Sequence, residues 1–219
     1  GVNLSGNTHT MGTGSSIDGL VFLNNGTMLD VSGNPTINGS LVWNGQSTIT
    51  GGSLTVAPMG ALAIGGTGNR TLSAATINNQ GTTTYNSAAD DLLIDNGSVF
   101  NNQAGGTFDF QANIFARTSA GGGTFNNAGT VLKSAGAGTG GFDSTLPFNN
   151  NGGTLNAAAG NILQFAANTN AFNDGTQFIG AGTNLVTGNS TFNGTITSNG
   201  LTLQSGIFGG SANLARVTT

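Results

Sequence analysis

The sequence predicts an all-β protein, a right-handed parallel β-helix (β-solenoid) of about ten rungs of roughly 20–25 residues. Turn motifs recur along most of the chain, and short alternating strand patterns separate them without any sustained helical stripe. Charged residues make up only 5% of the 219 residues and Gly contributes 39, which is far from the composition of ordinary soluble domains. The 36% of hydrophobic residues, with 13 Phe, are enough for a core and argue against disorder.

The repeat unit is an apolar residue followed by an Asn pair, a Gly and a Thr. Its five clearest copies begin 23, 25, 23 and 24 residues apart. Stacked turns would place the equivalent residues above one another. The predicted core ladder is Ile77, Phe100, Phe125, Phe148 and Phe172. The predicted Asn corner ladder is Asn78, Asn101, Asn126, Asn149 and Asn173.

Each residue type in the unit has an expected place. The Asn pair is expected to turn the chain, because Asn tolerates left-handed backbone and its amide bonds nearby backbone. Gly129 is expected where a side chain would clash, and Thr130 and Val131 begin the next strand. Without helices for crossovers, short parallel strands require a coil in which each strand lies on its counterpart one turn away.

Weaker copies of the unit extend the pattern in both directions, so residues 1–219 are predicted to form a single continuous solenoid. Strands about 4.8 Å apart then give a rod of about 45–50 Å. Residues 1–6 and 206–210 resemble repeat sequence rather than caps. The expectation is a segment of a longer protein or a subunit that stacks into a filament.

Composition limits the partners. A net charge of −4 leaves no basic patch, so neither nucleic acid nor an anionic membrane surface is an expected partner. No 18-residue apolar window suggests membrane insertion, and the absence of Cys excludes disulfides and thiolate metal sites. We expect no cofactor.

The titratable residues are few for acid and base chemistry. Asp90, Asp91 and Asp95 form the densest acidic cluster, which we interpret as a solvated turn, with a cation or sugar site as the alternative. His9 has no second His or carboxylate near it in sequence and is expected to be a lone surface residue. The sequence therefore assigns no catalytic, cofactor-binding or metal-binding residue.

Four Thr-x-Thr triplets could order water as in ice-binding solenoids if they shared one flat face. They are Thr8–Thr10, Thr48–Thr50, 82–84 and 195–197. Their spacing is irregular against a rung of about 22 residues, so we expect no common face.

The repeated units between residues 77 and 176, the Gly-Ser-Leu-Thr-Val segment at 52–56 and the low charge resemble known bacterial repeats. They are similar to filamentous-haemagglutinin-like adhesins and autotransporter passenger regions, large surface proteins with parallel β-helix folds. The resemblance implies export, a rod-like shape and a role in adhesion, matrix or filament formation.

The expected function is a non-catalytic one, that of a secreted, extracellular surface fibre or adhesin stalk of a bacterium. The alternatives are a carbohydrate-binding or carbohydrate-cleaving β-helix and, less favoured, ice binding. Expected partners are neighbouring repeats of a longer chain or copies of the same chain stacked end to end. Surface glycans and host or matrix molecules are further candidates.

Overall fold

The chain is a parallel β-solenoid of about 10 turns of roughly 22 residues, as the sequence predicts. The computed structural model describes residues 1–87, 90–214 and 217–218. Each turn gives one strand to each of three sheets, in which every strand pairs in parallel with the strand three elements later. Among the described residues there is no helix with the length and apolarity to cross a membrane.

The three sheets have 11, 11 and 10 strands. Sheet 1 contains β1 Val2–Leu4, β4 Leu20–Leu23, β7 Ser40–Asn44, β10 Ala61–Gly66, β13 Thr82–Ser87, β16 Thr107–Phe110, β19 Thr130–Lys133, β22 Thr154–Ala157, β25 Gln177–Ile179, β28 Thr195–Ser198 and β31 Asn213–Leu214. Sheet 2 contains β2 Thr8–Thr10, β5 Met28–Asp30, β8 Thr48–Thr50, β11 Arg70–Ser73, β14 Leu92–Asp95, β17 Phe115–Arg117, β20 Thr139–Phe142, β23 Ile162–Phe165, β26 Thr183–Val186, β29 Leu201–Leu203 and β32 Val217–Thr218. Sheet 3 contains β3 Ser16–Ile17, β6 Thr36–Ile37, β9 Ser53–Val56, β12 Thr76–Asn79, β15 Ser98–Asn102, β18 Gly123–Asn127, β21 Phe148–Asn150, β24 Asn170–Phe172, β27 Ser190–Phe192 and β30 Phe208–Gly210.

The core is a continuous apolar column inside the three sheets. Alternation with period 2 turns every second side chain inward, as in β7, where Leu41 and Trp43 are fully buried between half-buried neighbours. In the middle turns the inward residues are mostly Phe. The rings of Phe100 and Phe125 stack with centroids 4.9 Å apart and an interplanar angle of 3°. Parallel registry therefore brings rings of successive turns into direct contact.

The Asn pairs lie inside strands, and the expectation that they turn the chain is wrong. Asn78 and Asn79 end β12, and none of the paired Asn residues has a positive φ. Their outward and inward alternation leaves the first Asn of each pair half-buried and the second buried. Left-handed backbone occurs instead at other residues, such as Asn34 and Asn96. The amides are thus free to bond along the stack.

Phe172 and Asn173 do not continue the predicted ladders in register. Phe148 pairs with Asn170, which lies only 22 residues later, so Phe172 pairs with Asn150. Asn149 accordingly pairs with Ala171, and Asn173 donates a hydrogen bond to Asn151 instead. A shift of two residues is allowed because it keeps Phe172 facing inward.

The other predicted core positions do lie opposite one another. Ile77 pairs with Phe100, Phe100 with Phe125, and Phe125 with Phe148, each fully buried. Gly129 follows the Asn pair of its turn, where an added Cβ would overlap the carbonyl oxygen of Gly106 one turn earlier. A side chain is excluded there because successive turns approach closely at this corner.

Candidate functional site

The outward Asn residues of sheet 3 form a hydrogen-bonded ladder on the surface of the solenoid, which we call the outer ladder. It consists of Asn78, Asn101, Asn126 and Asn149. The Nδ2 atom of each later member donates to Oδ1 of the member before it, over 2.9 to 3.0 Å. Asn78 in turn donates to the hydroxyl of Ser53 over 2.9 Å. All four amides therefore point the same way along the axis.

A second ladder, which we call the inner ladder, is buried one position further along each strand. It consists of Asn79, Asn102, Asn127 and Asn150, all at most 1% exposed. Here Nδ2 donates to Oδ1 of the following turn over 2.8, 2.7 and 2.6 Å, and Asn150 donates to the Thr176 hydroxyl over 2.8 Å. The two ladders thus run in opposite directions, and every inner Nδ2 also donates to a backbone carbonyl.

The inner ladder begins at an unpaired acceptor. Asn79 Oδ1 is buried and has no hydrogen-bond partner among the described residues, because its counterpart one turn earlier is Val56. A buried acceptor without a donor costs about 1–3 kcal/mol.

Val56→Thr is expected to change the free energy of unfolding by less than about 0.5 kcal/mol, or to stabilise the fold. The new hydroxyl would offset its own desolvation by donating to Asn79 Oδ1, whereas a buried hydroxyl without a partner costs about 1–3 kcal/mol. Chemical denaturation of both Val56→Thr and Val131→Thr measures the difference. Val131 is equally buried and faces Phe108 and Leu155, which offer no side-chain acceptor. Equal losses in the two variants would contradict the unpaired acceptor.

The acidic cluster is structural in its contacts. Asp90 accepts a hydrogen bond from the Gly68 amide over 2.7 Å, and Asp91 forms an ion pair with Arg117 in which Nε lies 2.5 Å from Oδ2. Asp95 is only 4% exposed, so the expectation of a solvated turn is wrong for this residue. Its Oδ1 accepts hydrogen bonds from the amides of Ser119 and Ala120, over 2.6 and 3.1 Å.

The remaining carboxylates are also engaged. Each of the eight Asp residues accepts a hydrogen bond or forms an ion pair, and six of them bind a backbone amide: Asp30, Asp90, Asp95, Asp109, Asp143 and Asp174. Within the described part of the chain, no group of three or more His or Asp residues could hold a metal ion. The carboxylates therefore stabilise turns.

Burial acts to raise the pKa of Asp95, but hydrogen bonds from Ser119, Ala120 and Thr118 outweigh it and hold that pKa below its ordinary value. A depressed pKa in the folded state means that the ionised carboxylate stabilises the fold above its unfolded pKa of about 3.9. This stabilisation is lost as the pH falls through the folded pKa.

Asp95→Asn is therefore expected to lower the free energy of unfolding by about 1.5–3 kcal/mol at pH 7, since charge-assisted hydrogen bonds are replaced by neutral ones. The gap between wild type and variant should close as the pH falls below about 4. Denaturation at a series of pH values measures it. Asp18→Asn is the control, because Asp18 is exposed and bonds only Asn38 and Ser16, so its effect should be smaller. A gap that does not depend on pH would refute this role of Asp95.

Two cations lie inside the solenoid, a feature that the sequence pattern did not suggest. Arg70 is fully buried, donates to the carbonyl oxygens of Gly66 and Gly68 and to that of Asp90, and lies 5.7 Å from the centre of the Tyr85 ring. Lys133 is fully buried as well and bonds neutral oxygens of Asn113, Ala135 and Asn161. Burial lowers the pKa of Lys133, while the charge of Asp109 acts in the opposite direction.

His9 and the Thr triplets occupy different places from one another. His9 pairs with the inward residue Leu29 and its Nε2 is buried, so the expected lone surface position is wrong. The triplets of β2 and β8 lie in sheet 2 with β5 between them, and those in β13 and β28 lie in sheet 1. No two triplets occupy neighbouring turns.

A shallow groove on the outer face of sheet 3 was missed by the sequence analysis. It has a volume of about 430 Å³ and lies where the outer ladder ends. Its lining includes Asn149, Asn168, Ala171, Asn189, Thr191 and Ile207. The loss of Asn at position 171 was the signal that could have indicated it.

Comparison of the chain with protein-family models, with curated proteins and with solved structures finds no match.

Proposed function

We propose that this chain is a rigid, non-catalytic rod segment of a secreted bacterial surface fibre or adhesin stalk. The observation that carries the proposal is the unbroken parallel pairing of three sheets of 10 or 11 strands along one axis. With strands about 4.8 Å apart, this stack is about 50 Å long. Such an architecture projects or spaces other groups, since each turn contacts only its neighbours and length grows with turn number.

The side chains support a structural role. The middle of the column holds contiguous Phe rings, and the flanking Asn ladders bond successive turns through side chains in addition to backbone. Rings and amides fixed at the same position in each turn oppose sliding and bending of one turn over the next. Rigidity along the axis follows from this repetition.

The engagement of the carboxylates favours this function over the carbohydrate-cleaving alternative. Glycoside hydrolysis uses two carboxyl groups that flank the bond to be cleaved. Here Asp90 and Asp91 bind the Gly68 amide and Arg117, and Asp95 is bound by the 118–120 segment. Releasing any of them for catalysis would break a contact between successive turns.

The proposed partners are further turns of the same kind, either neighbouring repeats of a longer chain or copies of this chain. A parallel stack can grow at an edge, because an edge strand offers unpaired backbone donors and acceptors. The low charge leaves little repulsion against such growth.

Immunogold electron microscopy of intact, unpermeabilised cells tests the proposal. We expect label on the cell surface, along fibres or stalks, with spacing that repeats at multiples of the rod length. Label that appears only after permeabilisation would overturn the extracellular assignment. Small-angle scattering of the purified protein gives an independent reading, since a compact sphere instead of a rod would overturn the role as a spacer.

A further inference from the structure

The groove on sheet 3 is built by the end of the outer ladder. In the three preceding turns the outward position holds Asn78, Asn101 and Asn126, whose amides fill the surface. After Asn149 the same position holds Ala171 and then Thr191, so the surface drops away over a short side chain. The floor is therefore a small apolar residue, with polar side chains around it.

Asn149 presents a polarised acceptor at this groove. Its Nδ2 donates to Asn126, but its Oδ1 has no donor among the described residues, because Ala171 has none to offer. Four amides aligned head to tail polarise one another, and the effect strengthens the acceptor at the end of the chain. The groove thus contains one carbonyl oxygen with more than ordinary affinity for a hydroxyl or amide donor.

Further polar groups surround the same space. Asn189 accepts a hydrogen bond from the Ile207 amide over 2.9 Å, which fixes its side chain and leaves its NH₂ group without a partner among the described residues. Asn168 is exposed and contributes a second amide. Asn170 is 3% exposed, and its buried Oδ1 has no partner in the described part of the chain. Donors and acceptors are therefore both on offer.

The chemistry of the lining selects an uncharged ligand. None of the residues that line the groove is ionisable, so nothing there would offset the desolvation of a charged group. The side chain of Ile207, 77% exposed, gives an apolar wall beside the amides. A hexose matches this combination, since its hydroxyls both donate and accept and its C–H face is apolar. The volume of about 430 Å³ lies within the range of small-molecule sites.

We propose that this groove binds an uncharged oligosaccharide, one of whose hydroxyls donates a hydrogen bond to Asn149 Oδ1. The site adds a ligand to the rod and does not depend on where the rod is displayed.

Ala171→Asn is the decisive variant. It places an Asn in register with Asn149, so the new Nδ2 takes up the free Oδ1 and the new side chain fills the floor. The outer ladder is extended by one turn, so the variant should be at least as stable as the wild type. Ala63→Asn is the matched control, because Ala63 is also a half-buried outward Ala between two strands, but in sheet 1.

Calorimetry with three uncharged hexasaccharides, maltohexaose, cellohexaose and chitohexaose, measures binding, with hexagalacturonate as the charged comparison. We expect at least one uncharged probe to bind with a Kd of about 1 mM or tighter, and Ala171→Asn to weaken it at least about tenfold. Ala63→Asn should leave the affinity unchanged. Failure of all three uncharged probes, stronger binding of hexagalacturonate, or equal binding by Ala171→Asn and the wild type would overturn the proposal.

Discussion

Phe125→Ser is expected to lower the free energy of unfolding by at least about 3–5 kcal/mol, the range for truncation of a buried Phe. Phe125 is fully buried and its ring contacts four others, at centroid distances of 4.7 to 5.9 Å. The serine would leave a cavity between turns and bury a hydroxyl without an assigned partner, which adds to the loss. Chemical denaturation followed by far-ultraviolet circular dichroism measures the change.

Thr124→Ala is the matched control, because Thr124 precedes Phe125 in β18 and faces outward. It should change the free energy of unfolding by about 0.5 kcal/mol or less, as is usual for surface substitutions. If Phe125→Ser cost no more than Thr124→Ala, the Phe rings would not form the centre of the fold.

The fold could be predicted because its period is written twice in the sequence, once in turn residues and once in inward apolar residues. Ile77, Phe100, Phe125 and Phe148 recur every 23 to 25 residues, and the structure places them opposite one another. Phe172 shows the limit of this reasoning. Spacing alone aligned it with Phe148, yet a loop two residues shorter shifts the pairing and only the parity of the strand is preserved.

The inner ladder followed from the same parity and was still missed. Once Phe125 faces inward, Asn126 must face outward and Asn127 inward, so a buried Asn was implied at every repeat. The preference of Asn for turns outweighed this pattern in the sequence analysis, because intrinsic propensity was allowed to decide what burial decides in the fold.

Other features depend on contacts between residues in different turns. Arg70 and Lys133 are buried because backbone carbonyls and Asn oxygens happen to surround them, and Asp95 is buried because the 118–120 segment folds over it. No local pattern marks these residues as different from exposed ones. The groove likewise requires the exact register of Ala171 with Asn149, which the sequence alone misaligned.

Asn127→Ala is expected to be the second most damaging substitution, with a loss of about 2–6 kcal/mol. The side chain bridges two turns, since Oδ1 accepts from Asn102 over 2.7 Å and Nδ2 donates to Asn150 over 2.6 Å. Its removal leaves Asn150 Oδ1 without its donor and takes one of two acceptors from Asn102, both in the dry core. Each buried polar group left unpaired costs about 1–3 kcal/mol.

Asn126→Ala makes the comparison sharp, because Asn126 is the preceding residue, belongs to the outer ladder and also bridges two turns through its amide. Water can reach this half-buried face and replace the lost hydrogen bonds, so the loss should be about 1 kcal/mol or less. Denaturation of both variants separates ladder formation from burial. Equal losses would mean that the amide chain itself stabilises the stack, whereas a large loss for Asn127→Ala alone means that the inner Asn residues are held by the cost of leaving their partners unpaired.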